Sequence, residues 1–136
     1  MVRTVLSMIL LFVLVLSARP CGAAWDPASL GDEDTLEFLT VEPEKGEHWS
    51  TVWLVVLDGQ VYIRLGSRAS ERIERNTAAP YVAVKIAGRQ FDRVRAESVA
   101  EMAERVADAM ADKYWTDIFV RYFAHPLTMR LVVESE

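Results

Sequence analysis

Between positions 64 and 72 the sequence reads RLGSRASER, and this stretch holds the clearest chemical pattern in the chain. Arg64 closes an alternating run, Gly66 turns the backbone, and Ser67-Arg68 stand where a helix would begin. Unpaired amides at a helix start, with a guanidinium beside them, bind phosphate. Two plainer readings stay open. Ser67 can simply cap the helix while Arg68 and Arg72 are solvated, and Arg64 can stack on Trp53, a contact worth ~0.5–1 kcal/mol when exposed. Elsewhere the chemistry is thin. His48 and His125 are the only histidines and lie too far apart for a zinc motif. There is no Gly-x-Ser-x-Gly elbow and no carboxylate pair spaced for hydrolysis. The run Asp32-Glu33-Asp34 lacks the glycine hinge and closing Glu of a calcium loop and reads as solvated charge.

A phosphate corner needs a rigid strand before it and a helix after it, and the flanking residues supply both. Asp58-Gly59 is a two-residue hairpin signal. It sets Leu57 opposite Gln60, Val55 opposite Tyr62 and Trp53 opposite Arg64. One face then carries Val52, Leu54, Val56, Val61, Ile63 and Leu65, and the other Trp53, Val55, Tyr62 and Arg64. A ribbon apolar on both sides must be covered on both, by a barrel interior on one and by a helix, partner subunit or planar ligand on the other.

The remaining elements follow from local pattern. Leu36, Phe38 and Thr40 alternate into Pro43 as a strand. Ser67 reads as the N-cap of a short charged helix with Ala69 and Ile73 on one face and Asn76 at its end. YVAVKI, Tyr81 to Ile86, is a strand; Ala87-Gly88-Arg89 is a turn, and Gln90 to Ala96 is the returning strand. Ser98-Val99-Ala100-Glu101 is a capping box opening a long helix, with Met102, Ala103, Val106, Ala107 and Met110 at helical spacing. Tyr114, Trp115, Ile118, Phe119, Tyr122 and Phe123 continue that spacing toward Pro126, and Leu127 to Val133 alternate as a last strand.

The chain has 136 residues, 51% of them hydrophobic, with 15 Lys+Arg against 20 Asp+Glu. That is one domain, too apolar for disorder and too acidic for a phosphate-backbone binder, so nucleic acid is not an expected partner. The N-terminus has the layout of a secretory signal: Arg3, an apolar run from Val5 to Leu16 broken only by Ser7, then Cys21-Gly22-Ala23-Ala24. The run is shorter than the ~18 residues of a membrane-spanning helix. Residues 1–24 are therefore expected to be removed near Ala24, leaving an exported, periplasmic or secreted, chain without membrane insertion. Lipidation at Cys21 is disfavoured by Arg19 and Pro20 before it. Removal of Arg3 and Arg19 takes the net charge from −5 to about −7. Residues 25–34 read as a flexible, turn-forming lead-in and 35–136 as the folded domain.

The order strand, strand, DG hairpin, strand, short Ser/Arg helix, hairpin, long helix, strand is carried by TVWLVVLDGQVYIRLGSRASERIERNTAAPYVAVKIAGR with the later DKY and HPLTMRLVVE. It resembles the split β-barrel flavin-binding superfamily of pyridoxamine-phosphate-oxidase-like and deazaflavin-dependent-reductase-like proteins, closest to the DUF2255-type branch, from Leu36 to Glu134. The resemblance implies an α+β fold, a small split β-barrel of about six antiparallel strands with one short and one long helix. It also implies a homodimer that holds FMN or the deazaflavin F420 across its interface. Arg64, Ser67 and Arg68 would meet the phosphate, with Ser50 and Thr51 beside the ring system and Trp53 nearby. In such enzymes the cofactor carries the hydride, so no nucleophile is needed. The implied function is an exported flavin- or deazaflavin-binding oxidoreductase. Export and the sparse basic residues after Gly66 equally suit the alternative, a non-catalytic ligand-binding or interaction module of the cell envelope that keeps the barrel without cofactor.

Overall fold

Two tight turns set the registers of the sheet. In the computed structural model, which describes residues 24–114 and 127–134, Asp58 and Gly59 both take positive φ, 51° and 72°. That geometry matches the twist of the flanking strands. It joins β2 (Gly46–Leu57) to β3 (Gln60–Leu65) with Leu57 opposite Gln60 and Val55 opposite Tyr62, as the turn residues require. The pairing stops at Leu54 and Ile63. The expected pair of Trp53 with Arg64 therefore does not form: Trp53 lies opposite Thr35 and Arg64 opposite Thr128. The second turn is Ala87-Gly88, both at positive φ, so Arg89 already belongs to the returning strand rather than to the turn.

With β1 (Thr35–Glu42), β4 (Tyr81–Ile86), β5 (Arg89–Ser98) and β6 (Leu127–Val133), the strands close in the order β1-β2-β3-β6-β5-β4, each pair antiparallel. The short helix α1 spans Ser67–Glu74, and a 3-10 turn at Ala100–Met102 leads into the longer α2, Ala103–Lys113. This is the α+β split-barrel class expected from the sequence. Leu54, Val61, Ile63 and Leu65 are buried in the interior with Leu36 and Phe38, and Val52 and Val56 pack against them. Ala69 and Ile73 press α1 onto the same core. In β5 three residue steps, Phe91 to Val94, match two in β4, Val84 to Val82. This bulge lets Phe91 and Val94 both reach the interior although they are three apart.

The opposite face of the β2–β3 ribbon is covered by α2, one of the three coverings the pattern allowed. Val55 and Tyr62 are buried beneath Val106 and Met110. The helix does not open on the expected capping box. Ser98 ends β5 opposite Met129, and Val99 N donates to Thr128 O at 2.9 Å, so sheet pairing takes the residues that would have capped. Ser67 is likewise the first helical residue rather than the cap, a place held by Gly66. Trp25 and Leu30 of the lead-in pack on the barrel: Trp25 meets Phe91 edge-on at 5.0 Å and Leu30 is buried. The expected signal segment before Ala24 and the aromatic run from Trp115 to Phe123 lie outside the described residues.

A surface clasp ties β4 and β5 to the end of β6. The Tyr81 hydroxyl donates to Glu134 Oε2 at 2.8 Å, and Arg95 Nε and Nη2 reach Oε1 at 2.6 and 2.5 Å. The Tyr81 hydrogen bond, then the Arg95 guanidinium, hold the Glu134 carboxyl below its ordinary value of 4.5. A depressed carboxylate contributes stability above its unfolded pKa and loses it as pH falls through the folded one. Glu134→Gln should accordingly melt slightly below the parent protein near neutral pH, and the gap should close on acidification through the carboxylate range. A gap that persists in acid would assign the effect to packing.

Candidate functional site

β2 has twelve residues and β3 only six, and the mismatch opens the barrel wall. Beyond Leu54 the segment His48–Val52 is paired with β1 on one side, and among the described residues no strand pairs with its other edge. Across that gap the chain leaves β3 at Leu65, passes Gly66 in extended geometry and enters α1. Between strand edge and helix lies a cavity of about 500 Å³ bordered by His48, Ser50, Thr51, Ser67, Arg68 and Arg72, among others.

Every polar feature of this cavity suits an anion. The first backbone bond inside α1 runs from Ser70 N to Gly66 O, and no side chain caps the start. The N–H groups of Ser67, Arg68 and Ala69 therefore have no intrahelical acceptor and carry the positive end of the helix dipole. Arg68 and Arg72 sit one turn apart, neither makes an ion pair among the described residues, and no acidic residue borders the space. Ser50 is only 7% exposed, yet its hydroxyl has no hydrogen-bond partner among the described residues. A buried hydroxyl left unpaired costs ~1–3 kcal/mol. Thr40 Oγ1 is in the same state but does not border this cavity.

That orphan gives a stability test independent of any ligand. Because Ser50→Ala removes an unsatisfied group instead of breaking a bond, the unliganded protein should be unchanged or up to ~1 kcal/mol more stable by urea midpoint. A loss above ~1 kcal/mol would mean the hydroxyl is bonded within the fold.

Four of the six residues assigned from the sequence, Ser50, Thr51, Ser67 and Arg68, surround this one cavity. The other two do not. Trp53 is stacked on Tyr114, ring centroids 4.5 Å apart and 11° from parallel, which occupies one face of its ring. The Tyr114 hydroxyl donates to Leu54 O at 2.8 Å, and the Lys113 ammonium donates to Leu54 O at 3.0 Å and to Glu33 O. Burial pushes the Lys113 amine below its ordinary pKa. Arg64 points to the outer side of β3, opposite Thr128, and does not border the cavity. His48 and Arg72 belong to the cavity but were not assigned to it. Arg72 was visible as the i+4 partner of Arg68; His48, weighed only as a zinc ligand, carried no local signal. Among the described residues no three metal-ligating side chains cluster, and no helix is long and apolar enough to cross a membrane.

No family model and no curated protein matches the chain. Solved structures do match in fold. The heme storage protein HutZ from Vibrio cholerae is similar at TM-score 0.59 and 18% identity, over 77% of this chain and 84% of that one. An F420-H2 dependent reductase, FDR-A, is similar at TM-score 0.53 and 13% identity, over 73% and 94%. A protein described as a domain-swapped dimer is similar at TM-score 0.55 and 13% identity, over 74% and 80%. At these identities the likeness establishes the shared split-barrel fold.

Proposed function

We propose that this chain is an exported split-barrel protein that binds the phosphate of a flavin-type cofactor, FMN or F420, in the gap between β2 and α1. The reading rests on one observation: a buried Ser50 hydroxyl, unpartnered among the described residues, beside an uncapped helix start and two arginines that make no ion pair among those residues. The finer placement near the DUF2255-type branch rests on sequence pattern, and export on the N-terminal segment.

The chain's own groups divide the work. The α1 amides and the Ser50 and Thr51 hydroxyls offer short, directed hydrogen bonds to phosphate oxygens, while Arg68 and Arg72 neutralise their charge. With the phosphate held at the split, the rest of the ligand extends along the outer face of β1 and β2. A bound flavin would supply the hydride chemistry there, and the protein would supply position and electrostatics. A homodimer fits the same face: Leu39, Val41 and Trp49 are only half-buried within one chain, and a second copy would cover them. The fold neighbour described as a domain-swapped dimer supports that reading.

A second reading has an observation of its own. Trp53, expected near the ring system, is engaged by Tyr114, and Arg64, expected at the phosphate, lies off the cavity, so each side of the implied site lacks one contact while Ser67 and Arg68 remain at the α1 start. That pattern suits a binder of phosphorylated ligands without redox chemistry. Purification from a host that makes both cofactors, an absorption spectrum, and calorimetric titration with FMN, F420 and inorganic phosphate separate the cases. Flavin absorbance with turnover by an electron donor supports the oxidoreductase. Phosphate binding to a colourless protein that ignores both cofactors supports the second reading, and no phosphate binding at all overturns both. Export is checked by the mass of the processed N-terminus, and the dimer by light scattering.

A further inference from the structure

The anion cavity between β2 and α1 is bordered by one group whose charge is not fixed. Histidine changes charge between about pH 5 and 8, whereas arginine stays cationic throughout. His48 borders the cavity beside Arg68 and Arg72, is exposed, and makes no hydrogen bond or ion pair among the described residues. Its place follows from the register. The buried positions of β1 are Leu36, Phe38, Thr40 and Glu42, and they stand opposite Val52, Ser50, His48 and Gly46 of β2. Directly opposed residues share a face of the sheet. His48 therefore follows Ser50 along the inward face, where the row turns from apolar to polar at the mouth of the split.

The charges around His48 come from each neighbouring element. From β1 the facing residue is the neutral Thr40, and the next on that face, Glu42, is paired with Lys45 at 3.7 Å. Arg75 borders the same hollow as Glu42 and Lys45. On β2, Glu47 precedes His48 and by alternation leaves from the other face. Helix α1 brings Arg68 and Arg72 to the cavity, while its Glu71 and Glu74 do not border it. No carboxylate lines the space to neutralise an imidazolium, so an entering anion is the partner the cavity offers it.

We propose that His48 is the third cation of this site and makes it pH-gated: the imidazolium holds a dianionic phosphate or sulfate group in acid, and its deprotonation loosens that hold toward neutral pH. The inference rests on the phosphate reading of the cavity and adds its regulation. The sign follows from linkage. A bound anion favours the charged imidazole, so the charged imidazole favours the anion by the same factor, and affinity rises as pH falls through the histidine range.

Calorimetric titration of the purified protein with sulfate, at about pH 5 and about pH 8 and constant ionic strength, tests the assignment. Sulfate is the probe because it stays a dianion over that range, whereas inorganic phosphate itself titrates within it. Affinity should be about three- to tenfold higher in acid, as suits one charged hydrogen bond from an exposed group. His48→Gln should lose this pH dependence. His48→Lys, cationic at both values, should bind at both as the parent does in acid. Equal affinity of the parent at the two pH values, or a dependence that survives in His48→Gln and so belongs to the carboxylates, would overturn the proposal and leave the phosphate reading standing. Sulfate that binds the parent at neither pH, or binds the Arg68→Ala/Arg72→Ala protein as tightly as the parent, would remove the anion site itself and this inference with it.

Discussion

Replacing Arg68 and Arg72 together by alanine should weaken phosphate or FMN binding by about 3 kcal/mol, more than a hundredfold, while leaving stability within about 0.5 kcal/mol. Both arginines border the cavity and neither makes an ion pair among the described residues. Their loss therefore leaves no partner stranded in the unliganded protein, and the whole effect appears on binding. Each charged hydrogen bond contributes ~1.5–3 kcal/mol, and exposure of Arg68 places it at the low end. Rising salt should weaken binding to the parent protein more steeply than to the double variant, because screening acts on the charges the variant lacks. Titration by calorimetry at two ionic strengths reads both quantities. Equal affinities would show that the anion does not sit at α1.

The largest effect on folding is expected at Asn76. Its side chain is buried and serves three backbone groups: Oδ1 accepts from Val41 N at 3.1 Å and Ala78 N at 3.2 Å, and Nδ2 donates to Tyr81 O at 2.9 Å. These bonds join the end of α1 to β1 and to the start of β4. Asn76→Ala strands two donors and one acceptor at once, and a loss of ~2–4 kcal/mol is expected in urea unfolding. Asn76→Asp keeps both acceptor bonds and places a carboxylate oxygen against Tyr81 O, so it should fall between the parent and the alanine variant. A cost below ~0.5 kcal/mol for alanine would mean that water replaces all three contacts. Since α1 carries the anion cavity, the same variant should lose phosphate affinity as it loses stability, whereas the Arg68→Ala/Arg72→Ala protein loses affinity alone.

Much of the barrel was legible before any coordinates. Asp58-Gly59 accepts the positive φ a two-residue hairpin demands, and that turn alone dictates which residues of β2 and β3 face each other. Period-two alternation then separates Leu54, Val61, Ile63 and Leu65 from Val55 and Tyr62 with no knowledge of the rest of the chain. Four of the six proposed site residues met because they lie on one strand edge and at one helix start, both local features. The exceptions have long-range causes. Ser98 and Glu101 have the spacing of a capping box, but pairing of Ser98 with Met129, thirty-one positions away, outweighs it. Asp92 and Arg93 hide a bulge that breaks the alternation of β5, set by the curvature the closed sheet needs.

From sequence alone came the turns, the interior face, the helix that bears the arginines and the type of chemistry that corner can do. These depend on φ preference and side-chain period within a few neighbouring residues. Tertiary structure decided what covers the outer ribbon, that Trp53 stacks on Tyr114, and that Ser50 is buried without a hydrogen-bond partner among the described residues. It also drew Lys85 to Trp49, leaving its cross-strand partner Glu37 without an ion pair among the described residues. Each of those outcomes is a competition among residues far apart in the chain for one partner, and the winner is fixed only when the barrel closes and brings them within contact distance.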